Sequence, residues 1–413
     1  MGGKKWKVVG VYENGDMQEK SEEMTEMIEE NKEGIRLIIA LALDGELSGT
    51  AKESAKYCGK MIGCYYQTYP PNIPGPALHL EDIDPSLCSH IYYDLATIGA
   101  NASVESGYLY EDIKVESERI KKFNDLQKKN PDLKTIGTMA GICNVNHKLL
   151  TDRDLREKLA DNVFKYVEKY GFNGMDIDHS ALPKRGEHPC DKKSFVLLVK
   201  SLKEKFDKKR FILSVKVDPN KAAAKILYDI KGISRYADFI NLKTFNFHGY
   251  TDEDKKNGIG HTSPMYHSSK ENPEDYVVRY WITEGAPQNK LLLGTSFTGL
   301  SYSLNNPNTF RRGAPFTYRG EFGDAMPYFE FCKIIKQWSY FYDPEQKVPY
   351  IHKKNQIVAY DDVRSIEVKA KYVQDMHLGG AMVMTIDNDD SGGVCGKKFP
   401  LLKALNRLLR KKC

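Results

Sequence analysis

The sequence predicts an α/β chain: a closed parallel (β/α)8 TIM barrel with a small α+β insertion domain between its seventh strand and seventh helix. Three observations carry this. Eight short apolar runs follow one another from residue 61 onward, and helical spacers separate them. That alternation is what a closed parallel barrel requires. One spacer, after the seventh run, is far too long for a single helix and is rich in Pro, Gly and aromatic residues, which leaves room for an inserted subdomain. The length of 413 residues, 41% of them hydrophobic, suits one large barrel with insertions and its core.

In chain order, residues 61–66 (MIGCYY) and 90–98 (HIYYDLATI) are the first two strands. A helical stretch over 112–129 leads to the third, 133–143. An amphipathic helix ending at 163–170 feeds the fourth, 174–179 (GMDIDH), and a helix over 194–208 feeds the fifth, 211–217. Residues 239–247, 290–297 and 381–386 complete the series, with a helix over 363–376 before the last. The expected divisions are an N-terminal extension over 1–57, a barrel over 58–299 and 362–413, and an insertion domain over 300–361.

Composition excludes several classes of function. Lys and Arg total 61 against 56 Asp and Glu, a net +5 spread along the chain, so no concentrated basic face marks a nucleic-acid binder. No apolar run approaches the roughly 20 residues that span a bilayer. There is no HExxH, no CxxC and no Cys/His cluster at zinc spacing, so neither a metal nor a cofactor is expected. Within the extension, Arg36 precedes the apolar run 37–43 and the small residues 48–51, the layout of a secretory signal peptide displaced from the chain start. A short amphipathic helix is the alternative. Eight cysteines fit either scattered buried thiols or four disulfides in an oxidising compartment.

Lys169-Tyr170-Gly171-Phe172-Asn173-Gly174-Met175-Asp176-Ile177-Asp178 resembles the fourth-strand motif, YGFDGxDxDxE, of family-18 glycoside hydrolases, the chitinases and chitinase-like proteins. Pro131-Asp132-Leu133-Lys134-Thr135, Asp238-Phe239-Ile240-Asn241, Gln346-Lys347-Val348-Pro349-Tyr350, Tyr360-Asp361-Asp362 and Leu378-Gly379-Gly380-Ala381-Met382-Val383 are similar to further family segments in the same order. The resemblance spans residue 61 to the C-terminus. It implies disulfides Cys64–Cys88 and Cys332–Cys395. Cys143 with Cys190, and Cys58 with Cys413, are expected as two additional bridges from their places on the same barrel faces.

In this family the substrate's own acetamido group attacks the anomeric carbon, while one protein acid protonates the leaving oxygen. The resemblance places that acid at Ser180, which cannot supply a proton in a useful range. Asp176 and Asp178 are retained. The residues that would hold the acetamido group read Phe245 and Asn246, and the stacking Trp reads Met384. Thr298, Leu300, Ile142 and Ile357 replace further site residues. Asp178-His179-Ser180 contains triad residue types, but neighbours on a strand face opposite ways, so it is no triad. Asp176 and Asp178 share the inward face.

The resemblance therefore implies a secreted, catalytically inactive chitinase-like protein. Its expected partner is chitin or another N-acetylglucosamine-containing glycan, or a protein receptor. Ligand-binding candidates are Tyr66, Asp178, Phe245, Asn246 and Met384. Tyr65, Tyr69, Tyr250 and Phe247 are further aromatic residues near strand ends, for which ordinary packing is the simpler expectation. An active glycosidase with repurposed residues and a purely protein-binding growth or immune factor are the competing readings. A monomer is expected. Asn101-Ala102-Ser103 is a glycosylation sequon.

Overall fold

The computed structural model describes residues 57–67, 78–99, 101–107, 113–142, 147–180, 191–266 and 273–412. The N-terminal signal-like segment, Tyr69, Cys143, Cys190 and Cys413 lie outside them. Eight parallel strands close on themselves: β1 (Met61–Gln67), β2 (His90–Ile98), β3 (Lys134–Met139), β4 (Gly174–His179), β5 (Ile212–Val217), β6 (Phe239–Leu242), β7 (Leu291–Ser296) and β8 (Gly380–Met384). Each pairs with its sequence neighbour, and β8 returns to β1 with Gly380 opposite Met61. This is the predicted (β/α)8 barrel.

Alternation along each strand sorts side chains between two cores. Met61, Tyr65, Tyr92, Ile136, Leu292 and Met382 fill the barrel, whereas Ile62, Cys64, Ile91, Ile177 and Val215 pack outward against the helices. The helix Arg153–Tyr170 feeds β4. It is capped by Asp152, whose carboxylate accepts from the amides of Asp154 and Leu155, and it ends at Gly171 in the left-handed region (φ 75°).

Two strands stop four or more residues before their expected ends. β3 stops at Met139 because the chain turns at Gly141 (φ 84°), and β6 stops at Leu242, with Asn246 left-handed at φ 59°. The insertion is an antiparallel sheet in which Thr298–Leu304 pairs with Phe316–Arg319 and Gln356–Ala359, followed outward by Val348–Lys353 and Ser339–Asp343. It starts two residues earlier than the expected boundary, and the helix Val363–Asp375 follows it. Trp281 is fully buried on the helix Glu274–Thr283, and Trp338 follows a 3-10 turn and leads into the outer strand.

Cys64–Cys88 and Cys332–Cys395 are disulfide-bonded, as the family pattern implied. Tyr57–Gly59 pairs antiparallel with Arg410–Lys412, with Cys58 opposite Lys411. No helix of the described residues is long and apolar enough to cross a membrane.

Candidate functional site

Strand β4 aims Asp176 and Asp178 into the barrel, beside Ser214 and Lys216 at the same levels of β5. Asp176 is fully buried and its oxygens are saturated. The Tyr65 hydroxyl donates to Oδ2 (2.6 Å), and the Ser214 hydroxyl (2.5 Å) and Asn241 amide (3.0 Å) donate to Oδ1. Burial pushes the Asp176 carboxyl up despite Lys216 nearby, and burial together with Asp176 pushes the Tyr65 phenol up.

One level higher, the Lys216 ammonium lies 2.8 Å from Asp178 Oδ2 and 4.5 Å from the centre of the Tyr65 ring. Burial opposes charge on both partners of this ion pair, yet the pairing outweighs it: Asp178 sits below the usual carboxylate range and Lys216 above the usual ammonium range. Asp176 and Asp94 add to the field that keeps Lys216 charged.

Ser180 completes the row. Its hydroxyl (2.7 Å) and amide (3.0 Å) both donate to Asp178 Oδ1, so Asp178 is held by the ammonium on one oxygen and by Ser180 on the other. His179 turns outward. Its ring centre is 4.2 Å from that of Phe195 and 5.3 Å from that of Tyr228, and burial lowers its pKa to about 4. The imidazole is neutral core material, and no triad forms.

The remaining candidates divide. Phe245 is 4% exposed and packs with Tyr65, Tyr92, Leu292 and Met382, with Met384 beside them, so this ring and thioether plug the top of the barrel. Asn246 is exposed, its amide oxygen accepting from Thr262 Oγ1 (3.3 Å) and its backbone N–H donating to the same atom (3.1 Å). Tyr66 does not belong to the site. Its side chain points to the outer layer, where the ring packs on Phe123 and the hydroxyl donates to the Leu78 carbonyl (3.0 Å). Tyr250 packs on Tyr302 and Phe316 of the insertion.

Beside the plug, a cleft of about 370 Å³ opens between the ends of β5 and β6. Asp218, Asn220, Lys243 and Asn246 give it polar groups, while Phe247 and Ile226, the latter 54% exposed, give it apolar faces. Sequence reasoning missed Lys216, Ser214, Tyr65 and Asn241 as the partners of the two aspartates. The signal was available in ILSVKV, where Ser214 and Lys216 alternate with apolar neighbours.

Residues 61–389 match the model of Glycosyl hydrolases family 18. A putative chitinase 2 of Margaritifera margaritifera is 32% identical over 83% of this chain and 75% of its own length. Human chitinase-3-like protein 2 is 31% identical over 84% and 92%. The group IV chitinase of Ostrinia furnacalis superposes with a TM-score of 0.77 at 29% identity, over 85% of this chain and 99% of its own. Human YKL-39, described as a pseudo-chitinase with retained chitooligosaccharide binding, superposes with a TM-score of 0.75 at 28% identity, over 84% and 99%.

Proposed function

The chain belongs to glycosyl hydrolase family 18, and we propose that within it this protein is a non-hydrolytic, secreted glycan-binding member. The observation that carries this reading is the Lys216–Asp178–Ser180 row. The position of the proton donor is a hydroxyl spent on Asp178, and the neighbouring carboxylate is neutralised by a buried ammonium. Hydrolysis needs a group that is protonated before the step and a carboxylate after it. Nothing in the row meets that condition.

The ligand class follows from the cleft. Phe247 and Ile226 offer apolar surface to a pyranose face, and Asn246, Asn220 and Lys243 offer hydrogen bonds to hydroxyl and acetamido groups. YKL-39 is a relative with this combination of lost chemistry and kept chitooligosaccharide binding. The two disulfides suit an oxidising compartment. Asn101 is exposed in a tight turn closed by Gly99 N–H donating to the Ser103 carbonyl, an accessible place for an N-linked glycan.

A protein receptor is the second reading, favoured by the apolar plug of Phe245 and Met384 where a sugar floor would lie. Calorimetry with chito-oligosaccharides separates the two. Binding that weakens in Phe247→Ala and Lys243→Ala supports the glycan reading, and absence of binding leaves the protein reading. Turnover of a fluorogenic chito-oligosaccharide above background sinks the non-hydrolytic claim.

A further inference from the structure

Away from the mouth, a second cavity of about 440 Å³ opens where the helix Ile230–Tyr236 meets the turn leading into β7. Its walls are Lys231, Ser234 and Arg235, with Asp229, Gly285 and Pro287. It lies at the start of β6 and β7, the opposite end of the barrel from the site above.

Three features set it apart from an ordinary solvated surface. Lys231 and Arg235 stand one helical turn apart, both exposed, and neither has an acidic partner among the described residues. Between them, the Ser234 hydroxyl is buried (4% exposed) and has no hydrogen-bond partner among the described residues. A buried hydroxyl left unpaired is destabilising, so an acceptor brought to this wall of the cavity would relieve that cost. Behind it, the Lys290 ammonium donates to the carbonyls of Ser234 (2.9 Å) and Ala237 (2.7 Å), adding positive charge to the back of the site.

We propose that this cavity binds a tetrahedral oxyanion. Lys231 and Arg235 supply charge from two sides, and the Ser234 hydroxyl donates the third bond. Asp229 refines the choice. One of its oxygens caps the helix by accepting from the Gly232 amide (2.9 Å), and the carboxylate also lines the cavity. A bare dianion is repelled there, whereas an oxyanion that carries or adjoins a hydroxyl can donate to it. Two sources present that chemistry: hydrogen phosphate, and a sulfate ester on a sugar with a neighbouring free hydroxyl.

The test titrates the full chain, by calorimetry, with inorganic phosphate, inorganic sulfate, a heparin-derived sulfated tetrasaccharide and its desulfated counterpart. The expected result is binding of phosphate, of the sulfated tetrasaccharide, or of both. Which of them binds identifies the source, and inorganic sulfate and the desulfated sugar should be weaker. Lys231→Ala with Arg235→Ala should lower affinity by about 100-fold, the loss expected for two charge-assisted bonds. Ser234→Ala separates a binding role from a structural one, because it should weaken the ligand several-fold while leaving the ligand-free melting temperature equal or higher. Unchanged affinity in the double variant, binding of inorganic sulfate as tight as phosphate, or failure of all four probes overturns the proposal.

Discussion

Lys216 Nζ lies 2.8 Å from Asp178 Oδ2 inside the barrel, and the two residues occupy the same level of adjacent strands. A charged lysine at this depth is sustained by Asp178, Asp176 and Asp94 together. Lys216→Met should therefore lower stability by about 3–5 kcal/mol, the usual effect of leaving a buried ion pair half-made. Chemical denaturation checks this, and a loss below 1 kcal/mol would show that the pair is dispensable.

The same row bears on what repair of the acid can achieve. Ser180→Glu restores a carboxyl, but it removes the hydroxyl that donates to Asp178 Oδ1 and leaves Phe245, Asn246 and Met384 in place of the groups that would hold the sugar. The single variant should stay at background on fluorogenic chito-oligosaccharides. Ser180→Glu with Phe245→Tyr, Asn246→Asp and Met384→Trp should recover more, since such groups act as a unit. Turnover by Ser180→Glu alone, well above background, would show that the cleft still positions a chitin-type substrate.

Glu274 provides a pH-dependent signature. It is buried 2.9 Å from Lys369, which is closer still (2.6 Å) to Asp361, and burial raises the Glu274 carboxyl from 4.5 to about 8. Between those values the folded state holds a proton that the unfolded state has released. Its contribution to stability is thus complete below pH 4.5 and is lost as pH rises toward 8. Asp361 is shifted the other way, so its contribution is lost only in acid, as pH falls through its lowered folded value. Urea unfolding across pH 5 to 8 should show a falling stability that Glu274→Gln flattens. Parallel profiles would place the titration elsewhere.

Tyr65→Phe should cost about 2–3 kcal/mol, because it removes the hydroxyl that donates to the buried Asp176 Oδ2 in a site closed to water. Tyr66→Phe removes one bond to the Leu78 carbonyl and should cost about 1 kcal/mol. Thermal melts of the two variants compare them directly, and equal losses would contradict the inward and outward assignment.

Non-reducing peptide mapping should return Cys64–Cys88 and Cys332–Cys395, together with Cys143–Cys190 and Cys58–Cys413. The backbone pairing of Tyr57–Gly59 with Arg410–Lys412 favours the last bridge. A free thiol at Cys64 or Cys332 in native material would count against the disulfide pattern shared with the family.

The difference between Tyr65 and Tyr66 shows what the sequence made legible. The barrel, its insertion and the inward pair Asp176 and Asp178 could be read from alternation, because polar and apolar residues take turns along β4. Strand β1 has no such rhythm. Met61 to Tyr66 are all buried, some against the barrel interior and some against the helices, so nothing in the string says which tyrosine faces in. The Lys216 pairing was hidden for another reason. A lone lysine in a strand is ordinarily a solvated end, and only the register of β5 on β4 places it opposite Asp178.

Lys216 also works as a cross-brace. Its ammonium joins β5 to the Asp178 carboxylate on β4 in a dry interior, so a substitution in this row has to replace a charge as well as a volume. A change made there is therefore felt first by the fold, and only through the fold by whatever the barrel mouth holds.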